Sequence, residues 1–287
     1  MKKIKVFISV IVVVLITVYI GNNSIKISEY NIENSKIPDE FNNMKILQLS
    51  DLHSKKFGKD NSYLVKKINE INPDIVVMTG DMMNSKGDDG EVLINIIKKL
   101  GNKYHIYYIV GNHEQILESN DSELFKNYLD KLLDLKVKVI NNDKIELKKE
   151  KSVINLYGMW INLRYYVDKT NNNQKDITFN DETVNQILKT SDKESFNLLI
   201  THNPLYFEAY SKWGADLTLA GHIHGGIINI PFVGGVLSPE KKLFPKYYGG
   251  DYVFNNSNMI VNRGLGNEGY LIRVFNRPEM SVINLKN

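Results

Sequence analysis

A chain of 287 residues, 43% of them hydrophobic and 24% charged, is long enough to bury a large core and too ordinary in composition for a disordered, collagenous or coiled-coil protein. Its net charge of +3 comes from 36 basic and 33 acidic residues; Lys2, Lys3 and Lys5 alone account for the excess, so no global positive charge argues for a nucleic-acid partner. Cysteine is absent, which excludes disulfides, thiolate nucleophiles and cysteine-held metals, and leaves His, Asp, Glu and Asn to hold any ion.

The chain opens on an apolar run. Residues Ile4 to Ile20 carry one charge, Lys5; as a helix they rise roughly 25 Å, at the short end of a bilayer span. The stretch Val18 to Asn23 lacks the small-x-small site of a cleavable signal, so residues 1–22 are expected to remain as a membrane anchor. Lysines before the run and none just after it predict an extracytoplasmic position for everything that follows. The Asn-rich segment Gly21 to Asn34 reads as a tether or an edge strand, and the domain organisation is anchor 1–22, tether 23–40 and a single domain over 41–287.

From Phe41 onward, short β-rich runs alternate with amphipathic stretches, which predicts an α/β domain. Strands are expected at Met44–Leu49, Asp74–Thr79 and Tyr104–Val110, with helices at Tyr63–Ile71, stopped by Asn72-Pro73, and at Glu91–Leu100, ended by Gly101. A long helix follows at Ser122–Leu135. Runs at Val137–Ile140, Ile145–Leu147 and Val153–Tyr157 read as strands of a second sheet. Another cycle comes next: strand Phe196–Thr201, helix Pro204–Trp213, strand Asp216–Ala220, then a strand-rich C-terminal part punctuated by Gly pairs.

Every candidate ligand falls at an expected strand end: Asp51 and His53, then Gly80-Asp81, then Gly111-Asn112-His113-Glu114, then His202, then Gly221-His222-Ile223-His224. In an α/β sheet the carboxyl ends of the strands line one crevice, so five loops distant in sequence can deliver side chains to one place. Five of the six histidines belong to this set; His105, inside a strand, reads as structural. Taken singly, Asp-x-His or Gly-Asp is an ordinary turn or cap, and Gly-His-Ile-His could be surface imidazoles. In this order and all after strands, they point to a metal site. Asp51 and His53 can converge only if the backbone bends sharply around an ion. Asp81 can bridge two ions about 3.5–4 Å apart, the spacing that clamps a phosphate. Nitrogen and oxygen ligands without thiolate suit manganese best, with iron, zinc or cobalt as other choices.

The pattern Asp-x-His, Gly-Asp, Gly-Asn-His-Glu, His, Gly-His-x-His resembles that of the calcineurin-like metallophosphoesterases. Leu-Phe-Pro-Lys-Tyr at 243–247, Arg-Gly-Leu-Gly-Asn at 263–267 and Phe-Asn-Arg-Pro-Glu at 275–279 are similar to the membrane-anchored bacterial branch that includes UDP-2,3-diacylglucosamine pyrophosphohydrolases. The resemblance implies a four-layer α-β-β-α sandwich of two mixed sheets. It implies two divalent metals, one on Asp51, His53 and His224 with Asp81 bridging, the other on Asn112, His202 and His222. It gives His113 the catalytic place beside the phosphate, and metal-bound hydroxide the attack on a phosphomonoester, phosphodiester or pyrophosphate, such as a cell-envelope lipid or nucleotide-sugar. Arg263 and Asn267 would then meet the substrate beyond the metals.

Two features depart from the pattern. Glu114 stands where many members have Asp, lengthening by one methylene the carboxylate expected to orient His113. The stretch Met159 to Thr178 carries Trp160, Arg164, Tyr165 and Tyr166, either as a lid that stacks on a base or lipid or, more simply, as a surface segment with its aromatics packed down. The rival to an enzyme is an inactive membrane-tethered scaffold of the same fold. Its signature would be a lost ligand, and no ligand is lost.

Overall fold

The computed structural model describes residues 2–166, 178–226, 228–230, 233–239, 242–267 and 273–287. The chain begins with helix α1 (Lys2–Asn23) and strand β1 (Lys26–Glu33). Then come β2 (Lys45–Leu49), α2 (Ser62–Ile71), β3 (Ile75–Thr79), α3 (Glu91–Leu100), β4 (His105–Ile109), α4 (Asn112–Asn120), α5 (Ser122–Asp134) and β5 (Lys138–Val139). A second series follows with β6 (Asp143–Lys149), β7 (Ser152–Met159), α6 (Asp181–Leu188), β8 (Asn197–Thr201), α7 (Phe207–Trp213) and β9 (Leu217–Ala220). The last strands are β10 (Asn229–Ile230), β11 (Gly234–Gly235), β12 (Gly250–Phe254), β13 (Ser257–Val261) and β14 (Glu279–Lys286).

These strands make two six-stranded mixed sheets, in the orders β1-β14-β2-β3-β4-β5 and β12-β13-β9-β8-β7-β6, beside a two-stranded β10-β11 ribbon. The central strands are buried along their whole length because both faces are covered, which is why they read as unbroken apolar runs rather than as an alternation. The period of two still sorts their side chains. Ile46, Val77, Ile109, Leu198 and Leu219 meet in the core between the sheets. Leu47, Val76, Met78 and Tyr108 turn outward against α2, α3 and α5. On the other sheet Leu199 and Tyr157 meet α6 and α7 through Val184, Leu188, Tyr210 and Trp213.

Local chemistry sets the helix ends. At the end of α2, Asn72 takes the left-handed conformation (φ 48°) and Pro73 follows, as the sequence predicts; α3 gives way to Gly101 at φ 60°. One expectation needs correction. The strand at Val137–Ile140, expected in the second sheet, shrinks to β5 and pairs parallel to β4 in the first, the neighbour that the α5 crossover reaches. The segment Gly21 to Asn34, read as a tether or an edge strand, contains β1, which pairs with β14 over all eight residues as an edge strand of the first sheet. Helices α4 and α6 were not foreseen, since each buries only a narrow apolar stripe.

The direction of β1 matters for the site. It runs parallel to β14, and β14 is antiparallel to β2, so the start of β1, and with it the end of α1, lies at the carboxyl end of β2. Within Lys3–Asn23 of α1 an 18-residue window has a mean hydropathy of 2.6 and is unburied in the fold, and the helix is long and apolar enough to cross a membrane.

Candidate metal centre

The carboxyl ends of β2, β3 and β4 in one sheet meet those of β8 and β9 in the other, and the side chains that follow them converge. Three overlapping groups of buried ligand atoms result: Asp51, His53 and His224; His53, Asp81 and His113; Asp81, His202 and His222. Reaching this point bends the backbone into the left-handed region at Asp51, His53, Asp81, His222 and His224, with φ between 45° and 72°. Such strain in non-glycine residues persists only where the surroundings enforce it. Two glycines make the close approach possible. A Cβ on Gly221 would sit 1.9 Å from Ser50 Oγ and 2.5 Å from Asp51 Oδ2, and one on Gly111 would sit 2.1 Å from Asp81 Oδ1.

Asp81 is the hub. Its Oδ1 accepts the His113 backbone N–H at 2.9 Å, which leaves Oδ2 facing His202 Nε2 at 3.0 Å and His53 Nε2 at 4.0 Å. Across the cluster, His224 Nε2 is 3.4 Å from Asp51 Oδ1 and 3.2 Å from His53 Nε2. Ligands at about 2.0–2.2 Å from a common ion stand about 2.9–3.6 Å from one another, so most of these separations suit a shared cation. Donor chemistry agrees. His202 Nδ1 donates to the Thr79 carbonyl at 2.6 Å, which turns its Nε2 toward the cluster and the Asp81 carboxylate. The Asn112 Oδ1 is buried without a hydrogen-bond partner.

The charges follow. Burial alone would lower His202, but the Asp81 and Asp51 carboxylates beside it raise it to about 10 in the metal-free site. His53 is held down at about 3 by burial, only partly offset by Asp81. Burial also opposes ionisation of Asp81, yet His202 and His113 keep its carboxyl well below the usual range, whereas burial raises Asp51.

Residues 44–226 match the Calcineurin-like phosphoesterase family. The chain belongs to that family. It is 25% identical to the metallophosphoesterase YkuE of Bacillus subtilis over 93% of its own length and 88% of that protein's. It is 26% identical to a metallophosphoesterase of Aquifex aeolicus over 91% of this chain and 92% of the other. A bovine transmembrane protein with a metallophosphoesterase domain is 23% identical over 88% of this chain and 55% of its own. The protein is therefore a phosphoesterase, a hydrolase of phosphoric esters.

Within this phosphoesterase, Asn112, His113 and Glu114 form the first turn of α4 rather than a free loop. Glu114, expected to orient the His113 ring, turns its carboxylate to backbone N–H groups. Its carboxylate accepts the N–H groups of Gly111 (2.8 Å), Asp81 (3.0 Å) and Met82 (2.7 Å), closing the start of α4 on itself and on the Asp81 loop. The extra methylene gives it this reach. Burial and the nearby Asp81 carboxylate push the Glu114 carboxyl up. His113 Nδ1 instead accepts the Ser85 N–H at 3.3 Å, which assigns the proton of the neutral ring to Nε2.

The two expected substrate contacts turn out to have partners within the protein. Arg263 Nε lies 4.0 Å from Glu279 Oε2, whose oxygen also accepts the Arg263 N–H at 3.0 Å. Asn267 Oδ1 accepts from Arg273 Nε. Arg273 is the residue that sequence reasoning missed. It is buried, bonds the Gly266 and Arg263 carbonyls, and brings Nη2 to 3.4 Å from His224 Nδ1. Burial lowers it to about 10. Its sequence signal was available, a single charge between Ile272 and Val274 in an apolar stretch.

The aromatics after Met159 are packed down. Trp160 stacks edge-on against Phe125, and Tyr165 packs against Phe179 and Tyr206. Tyr166 is buried with its ring 5.0 Å from that of His222 and 5.9 Å from that of His202, so it walls the metal cluster. Residues 167–177 of the expected lid lie outside the described residues. His105 is an exposed first residue of β4, apart from the cluster.

Proposed function

We propose that Asp51, His53 and His224 would hold one divalent ion and Asn112, His202 and His222 a second, with Asp81 shared between them. The observation that carries this reading is the convergence of buried carboxylates and imidazoles around Asp81, with the Asn112 Oδ1 buried and without a hydrogen-bond partner. When bound, such a pair of ions neutralises the phosphoryl oxygens and makes a water acidic enough to attack at neutral pH. Manganese is the ion we assign, from the mixed nitrogen and oxygen donors.

The protein's own groups supply the rest. Gly111 and Glu114 hold the Asp81 loop, so the bridging carboxylate is oriented before substrate arrives. His113, with its proton on Nε2, is placed to stabilise charge on the phosphate or to protonate the leaving oxygen. Tyr166 closes one side of the cluster against water. The substrate is a phosphoester or pyrophosphate of the cell envelope, and the site faces it from outside the cytoplasmic membrane on the α1 anchor. The apolar, unburied α1 and the lysines before it support that placement.

Three experiments test these readings. Metal analysis of the full chain reconstituted with manganese is expected to return two ions per chain, and one or none would contradict the ligand assignment. The loaded protein, screened against phosphomonoesters, phosphodiesters and pyrophosphates, identifies the ester class. Protease added to intact spheroplasts is expected to degrade the domain while sparing a cytoplasmic control; a protected domain would overturn the orientation.

A further inference from the structure

The end of the apolar helix is bonded to the wall of the metal centre. Asn22 Oδ1 accepts the Arg273 N–H at 3.0 Å, Asn22 Nδ2 donates to the Arg273 carbonyl at 3.0 Å, and the Asn22 carbonyl accepts from Lys55 Nζ at 2.6 Å. Arg273 in turn reaches His224, and Lys55 follows His53 by two residues. Arg277 adds a further clamp on the Ser24 and Ile25 carbonyls. Sheet topology demands this closeness, since β1 starts at the carboxyl end of β2.

Beside this junction the surface is unusually apolar. Outside α1, six of the ten described large apolar side chains that stand exposed are Ile228, Ile230, Val233, Leu243, Phe244 and Phe275. Backbone bonds stitch them together: Asn229 N–H to the Val274 carbonyl, Val236 N–H to Ile228, and Phe244 N–H to Val236. Phe275 lies two residues from the helix-bound Arg273, and the ribbon carrying Ile228 to Val233 leaves directly from the His224–Gly226 turn. Exposed apolar side chains gathered on neighbouring segments in this way mark a site for another apolar phase. The helix beside it says which. From Lys3 to Asn23 α1 rises about 31 Å, close to the hydrocarbon thickness of a bilayer, so Asn22 and everything bonded to it lie at the head-group level. Arg277, exposed at the exit, matches anionic head groups there.

We infer that the rim formed by Ile228, Ile230, Val233, Leu243, Phe244 and Phe275 docks into the lipid interface beside α1, so that the metal centre opens against the bilayer surface. The inference rests on the anchor and hydrolase readings above and narrows the substrate to phosphate groups carried at a membrane surface. It sets the domain close down on the membrane rather than out on a tether.

The absence of cysteine makes the test clean, because each introduced thiol is unique. Full-length Ile11→Cys, Phe244→Cys, Phe275→Cys and Leu133→Cys are labelled with an environment-sensitive fluorophore and reconstituted into phosphatidylcholine–phosphatidylglycerol vesicles containing nitroxide phospholipids. Leu133 is exposed near the end of α5 just before β5, hence at the amino ends of the strands, opposite the metal loops. Quenching at 244 and 275 is expected to exceed that at 133 at least threefold, with 11 quenched as well. Val233→Cys substitutes for either rim variant that fails to fold. Quenching at 11 with none at the rim, or equal quenching at the rim and at 133, would overturn the inference and leave the anchor standing. No quenching at 11 would overturn the anchor reading and this inference with it.

Discussion

Replacing Glu114 by Gln separates two roles for this carboxylate. One oxygen accepts the N–H groups of Gly111 and Asp81 and the other that of Met82. A glutamine amide can present its single oxygen to one side only. Turned toward Gly111 and Asp81, it sets its NH2 against the Met82 N–H; flipped, it leaves two buried donors unmet. Losing one charge-assisted bond and stranding a buried donor costs on the order of 2–4 kcal/mol. For a chain of this size that lowers Tm by about 3–7 °C, measured by calorimetry on the metal-free protein. Because the Asp81 N–H and its loop are what Glu114 holds, manganese affinity read by titration calorimetry should fall at least tenfold, equivalent to about 1.4 kcal/mol. An unchanged Tm and unchanged metal affinity, with only turnover reduced, would refute this reasoning and restore Glu114 to the role of orienting the His113 ring.

Three further outcomes are expected. His113→Ala should keep metal content near two ions and lower turnover by about 10²–10⁴-fold, as befits an acid or charge-stabilising group; loss of metal together with activity would move His113 into the ligand set. Gly221→Ala drives a methyl to 1.9 Å from Ser50 Oγ and 2.5 Å from Asp51 Oδ2, so metal binding should be lost while the sheets persist by circular dichroism, and a fully metallated variant would contradict the packing. In the metal-free protein, His53 is neutral in the fold down to about pH 3 but takes up a proton near 6.5 once unfolded. The unfolded state therefore binds the extra proton between those values, and stability falls as pH drops through 6.5 toward 3. The slope from this residue is at most about 1.4 kcal/mol per pH unit. Urea midpoints measured from pH 7 to 5 should show that decline and lose part of it in His53→Gln; an identical slope in both proteins would refute the assignment.

What the amino-acid sequence determined was everything governed by local periodicity and local turn chemistry. Strands β2, β3, β4, β8 and β9 announce themselves as short apolar runs, and the residue types just past each of them name the metal cluster from Asp51 to His224. Such features need only a few neighbouring residues to specify them. The apolar run of α1 is legible for the same reason. Tertiary structure alone decided which strands neighbour one another, because pairing joins residues far apart: β14 enters between β1 and β2, and β5 joins the first sheet. From that pairing follow the site's unforeseen members. Arg273 reaches His224 from 49 residues away and Asn22 meets Arg273 across 251. Glu114 accepts the N–H of Asp81, 33 residues earlier. Arg263 meets Glu279 at the start of β14, a strand of the other sheet. No spacing rule encodes such contacts, which exist only once the two sheets have closed on each other and buried charges must be answered by whatever lies within a few ångströms.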